Sequence, residues 1–274
     1  MLSVNTNVAS LNAQRNLSKT QVSLNQSLQR LSSGLRINSA ADDAAGLAIS
    51  EGMKARISSM NQAIRNANDG VSLVQTAEGA LNEVSNILGR MRELTTQAAT
   101  NTVAKSQRSY IAGEFKQLAS EITRIASATT FNGIKLTGAS ATSIKIQVGT
   151  GNAFFDTITV INKKMDAATL SVGTAFGTSG GTSAQAMLAK IDTAISKVSA
   201  QRASLGASQN RFQSVITNLQ VASENTSAAQ SRIADADIAS ETANMTRANI
   251  LTQAGTSILA QANQLPQAAL KLLQ

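Results

Sequence analysis

Along most of this chain, apolar residues recur at alternating spacings of three and four, the signature of helices that bury one stripe. Leu24, Leu28, Leu31 and Leu35 form a heptad seam of the a/d kind. Val4, Val8 and Leu11 precede it in another phase, and Leu17 leads into it. Gly34 and the stretch 38–46 break the rhythm. Asn, Ser and Asp there suit turns and helix caps, so a connector is expected. The longest periodic run follows, carried by Ile57, Met60, Ile64, Ala67, Val71, Val74, Ala77, Leu81, Val84, Leu88, Met91 and Ala98. About 40 residues at ~1.5 Å each predict a rod of roughly 60 Å. Gly70, Gly79 and Gly89 each cost about 1 kcal/mol of helix propensity, so packing must hold the rod together. After a break near 100–106, Ile111, Phe115, Leu118, Ile122 and Ile125 predict a shorter helix running back along the first.

Between 129 and 183 the period changes. Residues 143–148 and 156–160 alternate with period two around Gly149-Thr150-Gly151-Asn152, which predicts a hairpin or small sheet. Phe131-Asn132-Gly133 reads as a turn and 173–181 as a loop. Helical spacing resumes near Ser183 with Leu188, Ile191, Ile195, Val198, Leu205, Phe212, Ile216 and Leu219, interrupted by Arg202 and Gln209 as polar register positions. A second connector is expected at 234–239. Leu251, Ala254, Ile258, Ala262 and Leu265 then share one stripe, Pro266 is expected to interrupt it, and Leu270, Leu272 and Leu273 leave an apolar end.

The order is palindromic, so the expected fold is mainly α. It is a long antiparallel helical hairpin or coiled-coil bundle with a small β-hairpin insert, and the N- and C-terminal helices are paired. The expected division is 1–41 with 235–274 as one domain and 42–234 as a helical rod domain carrying the insert at 129–183. A terminal helix with a thin seam cannot bury its face alone. Leu24, Leu28, Leu31, Leu35, Leu251, Ala254, Ile258 and Leu265 are therefore the candidate packing residues, toward each other and toward further copies.

Composition removes most alternatives. The chain has no His, Cys or Trp. The common zinc, copper and iron–sulfur sites lose their usual ligands, and nucleophiles that depend on His or Cys are excluded. No cofactor and no enzymatic activity are expected. Asp42 and Asp43 could form a carboxylate pair, but capping is the simpler reading because adjacent helical residues do not face each other. Gly149-Thr150-Gly151 lacks the Lys and helix start of a phosphate loop. The formal net charge is +8, yet the basic residues are dispersed and aromatics make up only 3%, which argues against nucleic acid. No signal peptide and no membrane-length apolar run are visible.

Three blocks carry a resemblance. Residues 32–49 (SSGLRINSAADDAAGLAI), the opening Val4-Asn5-Thr6-Asn7, and 254–264 (AGTSILAQANQ) with Pro266 and the terminal leucines closely resemble bacterial flagellins. The likeness covers roughly 1–135 and 185–274. The short middle leaves little room for an outer variable domain. The resemblance implies a subunit that polymerises into the extracellular flagellar filament for motility, with the terminal helices as the inner layer. It implies export unfolded through the flagellar type III apparatus, contacts with cap and hook-junction proteins, and a chaperone on the C-terminal helix. A hook–filament junction protein of the same family is one alternative, and a basic helical binder of nucleic acid or membrane, disfavoured by the composition, is the other. The resemblance also implies recognition by Toll-like receptor 5 through Arg90, Leu94 and Glu114, and by inflammasome receptors through Leu270, Leu272 and Leu273. Nucleic acid and membrane are not expected partners.

Overall fold

The computed structural model describes residues 6–138 and 143–177, the backbone of 181–271, and the side chains of 182–264 within that last stretch. Its helices are α1 (Val8–Ser33), α2 (Ala44–Ala99), α3 (Lys105–Ala128), α4 (Gly181–Ala234) and α5 (Ile238–Lys271). Its strands are β1 (Thr130–Phe131), β2 (Ile134–Lys135), β3 (Ile144–Gln147) and β4 (Thr157–Val160). They pair as two antiparallel hairpins, β1–β2 and β3–β4. The fold is the expected helical bundle with a small β insert. It falls into two compact units. One gathers the described residues up to Ile57 with those from Glu224 onward, and the other is Ser58–Ser223.

Local chemistry explains the boundaries. The Asn7 side chain accepts from the Ser10 amide (3.1 Å), capping α1. Gly34 at φ 72 ends α1 in the left-handed conformation that glycine tolerates, and its N–H donates to the Arg30 carbonyl (2.8 Å). The connector is shorter than the run 38–46 suggests. Asp43 accepts from the Gly46 amide (2.9 Å) and starts α2 at Ala44, so Gly46 lies inside a helix. The glycine is required there for another reason. A Cβ on it would stand 2.7 Å from Ile37 Cδ1, and Ile37 is buried. At the other end α5 runs through Pro266 to Lys271, contrary to the expected interruption. A proline within a helix forfeits one backbone hydrogen bond, and the turns beyond it can continue.

In the second unit, α2, α3 and α4 enclose one core. Val74, Leu81, Leu88 and Met91 from α2 meet Ile111, Phe115 and Ile122 from α3 and Ile191, Leu205 and Phe212 from α4. α2 and α4 are antiparallel: Gly70 lies against Phe212, Glu78 faces Arg202 (3.7 Å), and Asp192 accepts from the Arg92 guanidinium (2.8 Å). Phe115 meets Phe176 edge-on at 5.5 Å. The strand alternation holds, with Ile158 and Val160 buried opposite Ile146 and Ile144. Asn132 (φ 48) and Gly133 (φ 78) make the tight β1–β2 turn, matching the Asn-Gly preference for two positive φ angles. Arg202 and Gln209 are only half-buried. The buried polar group is their neighbour Gln201, whose amide donates to the Ile161 carbonyl (2.7 Å).

The helix glycines differ in kind. A Cβ at Gly70 would stand 2.8 Å from Phe212 Cζ and 2.9 Å from Ile146 Cδ1, whereas one at Gly79 meets nothing. Gly70→Ala is therefore expected to lower the urea midpoint of this unit by overpacking, a cost of about 1–3 kcal/mol. Gly79→Ala is expected to raise it, by up to ~1 kcal/mol of helix propensity. Equal shifts from the two variants would refute the slot assigned to Gly70.

Candidate functional site

The first unit is built on the pairing of α1 with α5. The Asn7 side-chain amide donates to the Ala262 carbonyl (2.7 Å), and the Ser10 hydroxyl donates to Asn263 Oδ1 (2.7 Å). Further along, Leu17 lies against Gly255, where a Cβ would stand 3.2 Å from Leu17 Cδ1. Arg30 approaches Glu241 at 3.7 Å. The helices are antiparallel in constant register, so residues at opposite ends of the chain become neighbours. The connectors extend the pairing as backbone. The Arg36 amide donates to the Ala234 carbonyl (2.6 Å), and the Ala236 amide donates to the Gly34 carbonyl (2.9 Å).

Apart from Ala262, which belongs to the expected stripe, the closest contact uses residues that the leucine pattern does not single out. Ser27 on α1 and Glu241, Ala248 and Ala262 on α5 are buried. Glu241, Ala248, Gly255 and Ala262 recur every seventh position, a stripe of small side chains closed by one carboxylate. Small residues let the helix axes approach, and the heptad repeat keeps them on one face. That spacing is visible in the sequence, although the larger Leu and Ile residues draw attention first.

The candidate packing residues divide. Leu24 and Leu31 are half-buried. Leu28 is 48% exposed, Leu251 51% and Ile258 57%, while Leu35 and Ala254 are also exposed. The Leu265 side chain lies outside the described residues. Val8, Leu11, Val22 and Ile250, also exposed, add further apolar surface. Single exposed apolar residues are ordinary, but a series on two paired helices marks a surface for further partners. A groove along α5, lined by Ala243, Thr246, Ile250 and Leu251 among others, lies on this side.

Asp42 and Asp43 are engaged by the backbone. Asp42 accepts from the Ser39 amide (2.9 Å), the Asn38 amide (3.2 Å) and the Ser39 hydroxyl (3.0 Å), and from Gln26 on α1 (3.0 Å). These donors, the Ser39 amide foremost, hold its carboxyl below the ordinary value of 3.8.

In the second unit, Arg90 and Glu114 come together. The Arg90 guanidinium donates to Glu114 across α2 and α3 (2.9 Å) and to Glu93 along α2 (3.0 Å). Those bonds, the one to Glu114 first, raise the Arg90 pKa. Leu94 is 3% exposed and packs in the core. The Leu270 side chain and residues Leu272 and Leu273 lie outside the described residues. The Gly149–Gly151 turn folds over Asp156, which accepts from the Ala153 amide (3.0 Å), as a hairpin loop would. Among the described residues no group of carboxylates could hold a metal ion, and no helix is long and apolar enough to cross a membrane.

Paired terminal helices with an uncovered apolar side, joined to a bundle whose polar groups serve caps and helix contacts, define a self-assembling structural protein. Sequence comparison gives the family. The model of the bacterial flagellin N-terminal helical region matches residues 4–142, and that of the C-terminal helical region matches 188–273. A flagellin of Halalkalibacterium halodurans is 46% identical, with 99% of each chain covered. A flagellin of Bacillus subtilis is 41% identical at the same coverage, and the flagellar filament 33 kDa core protein of Treponema phagedenis is 40% identical. The crystal structure of Bacillus cereus flagellin superposes with a TM-score of 0.51 at 35% identity, covering 57% of this chain and 88% of that one. The chain belongs to the bacterial flagellin family. It is a structural subunit that polymerises into the extracellular flagellar filament and serves motility.

Because the Asp42 carboxyl is lowered in the folded chain, its contribution is present above 3.8 and is lost as pH falls through the lower folded value. Acidification below 3.8 is therefore expected to lower the protection factors of the Asn38 and Ser39 amides in the wild type, each rate being taken relative to the intrinsic rate at that pH. In Asp42→Asn that acid-dependent step should disappear; its persistence would assign the step to another group.

Proposed function

We propose that the filament is assembled through the exposed apolar sides of α1 and α5, with 1–41 and 235–274 as its inner layer and 42–234 as the surrounding rod. The observation that carries this is the exposure of Leu28, Leu251 and Ile258 on helices already paired through another face. Leu24 and Leu31 on α1, Leu35 in the connector and Ala254 on α5 extend that surface. The proposed boundaries follow the connectors, which end α1 at Ser33 and α4 at Ala234. We read the subunit as structural rather than catalytic: Asp42 closes the connector turn and Asp43 caps α2. Before assembly the uncovered apolar side of α5 suits a cytoplasmic chaperone, and the thin seams of both terminal helices suit export in an unfolded state through the type III apparatus. Contacts with cap and hook-junction proteins belong to the same surface.

A second reading concerns the host. The Arg90–Glu114 pair is an exposed charge pair that bridges α2 and α3 on the rod, and Leu94 is buried in the core. This supports recognition by Toll-like receptor 5. Recognition of the terminal leucines Leu270, Leu272 and Leu273 by inflammasome receptors rests on the sequence resemblance.

Leu28→Asp and Ile258→Asp are expected to leave the helix content of the monomer unchanged, because these side chains are exposed in the single chain. They should abolish filament formation in a seeded assembly assay, since burying an unpaired carboxylate between subunits costs several kcal/mol. Removal of 1–41 or 235–274 should do the same. Normal filament yield would place these faces in water. For the receptor reading, Arg90→Ala should weaken signalling through Toll-like receptor 5 about tenfold, the loss of ~1.4 kcal/mol. Arg124→Ala, which removes the separate pair with Glu121, should not. Equal potency of the Arg90 variant and the wild type would remove Arg90 from the recognised surface.

A further inference from the structure

The β3–β4 hairpin ends in a loop that presents two aromatic rings to water. Of the six phenylalanines, Phe115, Phe176 and Phe212 are buried and Phe131 is half-buried. Phe154 is 94% exposed and its neighbour Phe155 82%. The loop that carries them is closely built. The Val148 and Gly149 amides both donate to the Asp156 carbonyl (2.8 and 2.9 Å), and the Ala153 amide donates to the Asp156 carboxylate (3.0 Å). The Gln147 side chain crosses it, donating to the carbonyls of Gly149 (3.0 Å) and Gly151 (2.8 Å). A Cβ at Gly149 would run into the Asp156 carboxylate, so the tight closure needs glycine there. A loop fixed in this way spends little entropy when its rings are bound, and two adjacent exposed phenylalanines form an apolar patch that marks a contact surface.

The same unit contains a recess suited to such rings. It lies between α2 and the two hairpins and has a volume of about 310 Å³. The buried Gly70 and Leu73 and the partly exposed Phe131, Ile134 and Ile146 line it, with Lys145 beside them. A cavity of about 150 Å³ admits one benzene ring, so this recess has room for two. Phe131 supplies a partner for an aromatic pair, and the Lys145 ammonium suits a ring face. The groove between α2 and α3 is the poorer receptor: it holds no aromatic and is lined by the charged Glu83, Glu121 and Arg124. Within one chain the rings do not enter the recess, since both stand in water.

We propose that Phe154 and Phe155 of one copy enter this recess on a neighbouring copy in the filament. A filament repeats one contact between two different surfaces of each subunit, and a knob and a recess on the same unit meet that condition. The contact rests on polymerisation and is additional to the surface of α1 and α5. Loss of that surface abolishes the filament, whereas loss of this contact leaves a weaker one.

The chain has no cysteine, so engineered thiols report the contact directly. Phe155→Cys and Ile134→Cys chains are copolymerised on wild-type seeds, oxidised, and separated on non-reducing gels. A covalent dimer is expected from the copolymer, and none from either variant assembled alone or from the mixed monomers. A dimer in any of these three controls, or one formed with Gly79→Cys in place of Ile134→Cys, overturns the proposal, as does the absence of a dimer in the copolymer. Phe154→Ser combined with Phe155→Ser should leave the melting temperature of the monomer unchanged and raise the monomer concentration in equilibrium with filament about tenfold. An unchanged concentration overturns the proposal, and this measurement decides if a cysteine variant fails to assemble. If Leu28→Asp and Ile258→Asp still assemble while the cysteine pair cross-links, the reading of α1 and α5 fails and this contact stands.

Discussion

The close approach of α1 to α5 is the constraint on which the first unit depends. It is made by side chains too small to repel, Ala248, Gly255 and Ala262, and by hydrogen bonds from Asn7 and Ser10 near one end. A thin contact of this kind buries little apolar area, so its hydrophobic contribution at ~25 cal/mol per Å² is small. It has a compensating property. The larger apolar groups are not consumed by the internal pairing and remain available to other copies. An ordinary globular helix pair would place Leu28 and Ile258 at the centre of its contact. Here they stand outside it.

The second unit follows a different rule. Its core is continuous from Ala67 to Ala98 along α2, and its large side chains, Phe115, Phe212, Leu81 and Met91, are fully enclosed. Exposed ion pairs such as Arg92–Asp192 add little to stability. They do fix which helix lies beside which. The unit resembles a self-sufficient bundle, whereas the first unit ends in surfaces that await partners.

Much of this was legible in the sequence because the three-four rhythm of α2, α3 and α4 reports burial directly. Val74, Leu81 and Leu88 are periodic and buried. The β3–β4 hairpin was legible for the corresponding reason at period two. Three features were not. Gly46 reads as a breaker, but helix initiation is decided by whether Asp43 finds backbone donors, which spacing does not reveal. Pro266 reads as a stop, although one lost bond does not end a helix as long as α5. Most of the inner stripe of α5 is hard to see in the sequence because hydrophobic patterns weight large residues, and this contact is defined by small ones. For the receptor pair, the sequence placed Arg90 and Glu114 on separate helices, and only the packing of α2 on α3 brings them within 2.9 Å.

The pairing of Asn7 with Ala262 joins residues 255 positions apart. Contacts of such long sequence separation are slow to form, because nearly the whole chain must be closed into a loop before they return any stabilisation. The first unit therefore cannot complete itself while the C-terminal residues are still missing. A chain emerging from one end passes through a long interval in which α1 exists without its counterpart. Order of appearance acts here as a clock: the pairing of α1 with α5 matures last, after the self-contained bundle.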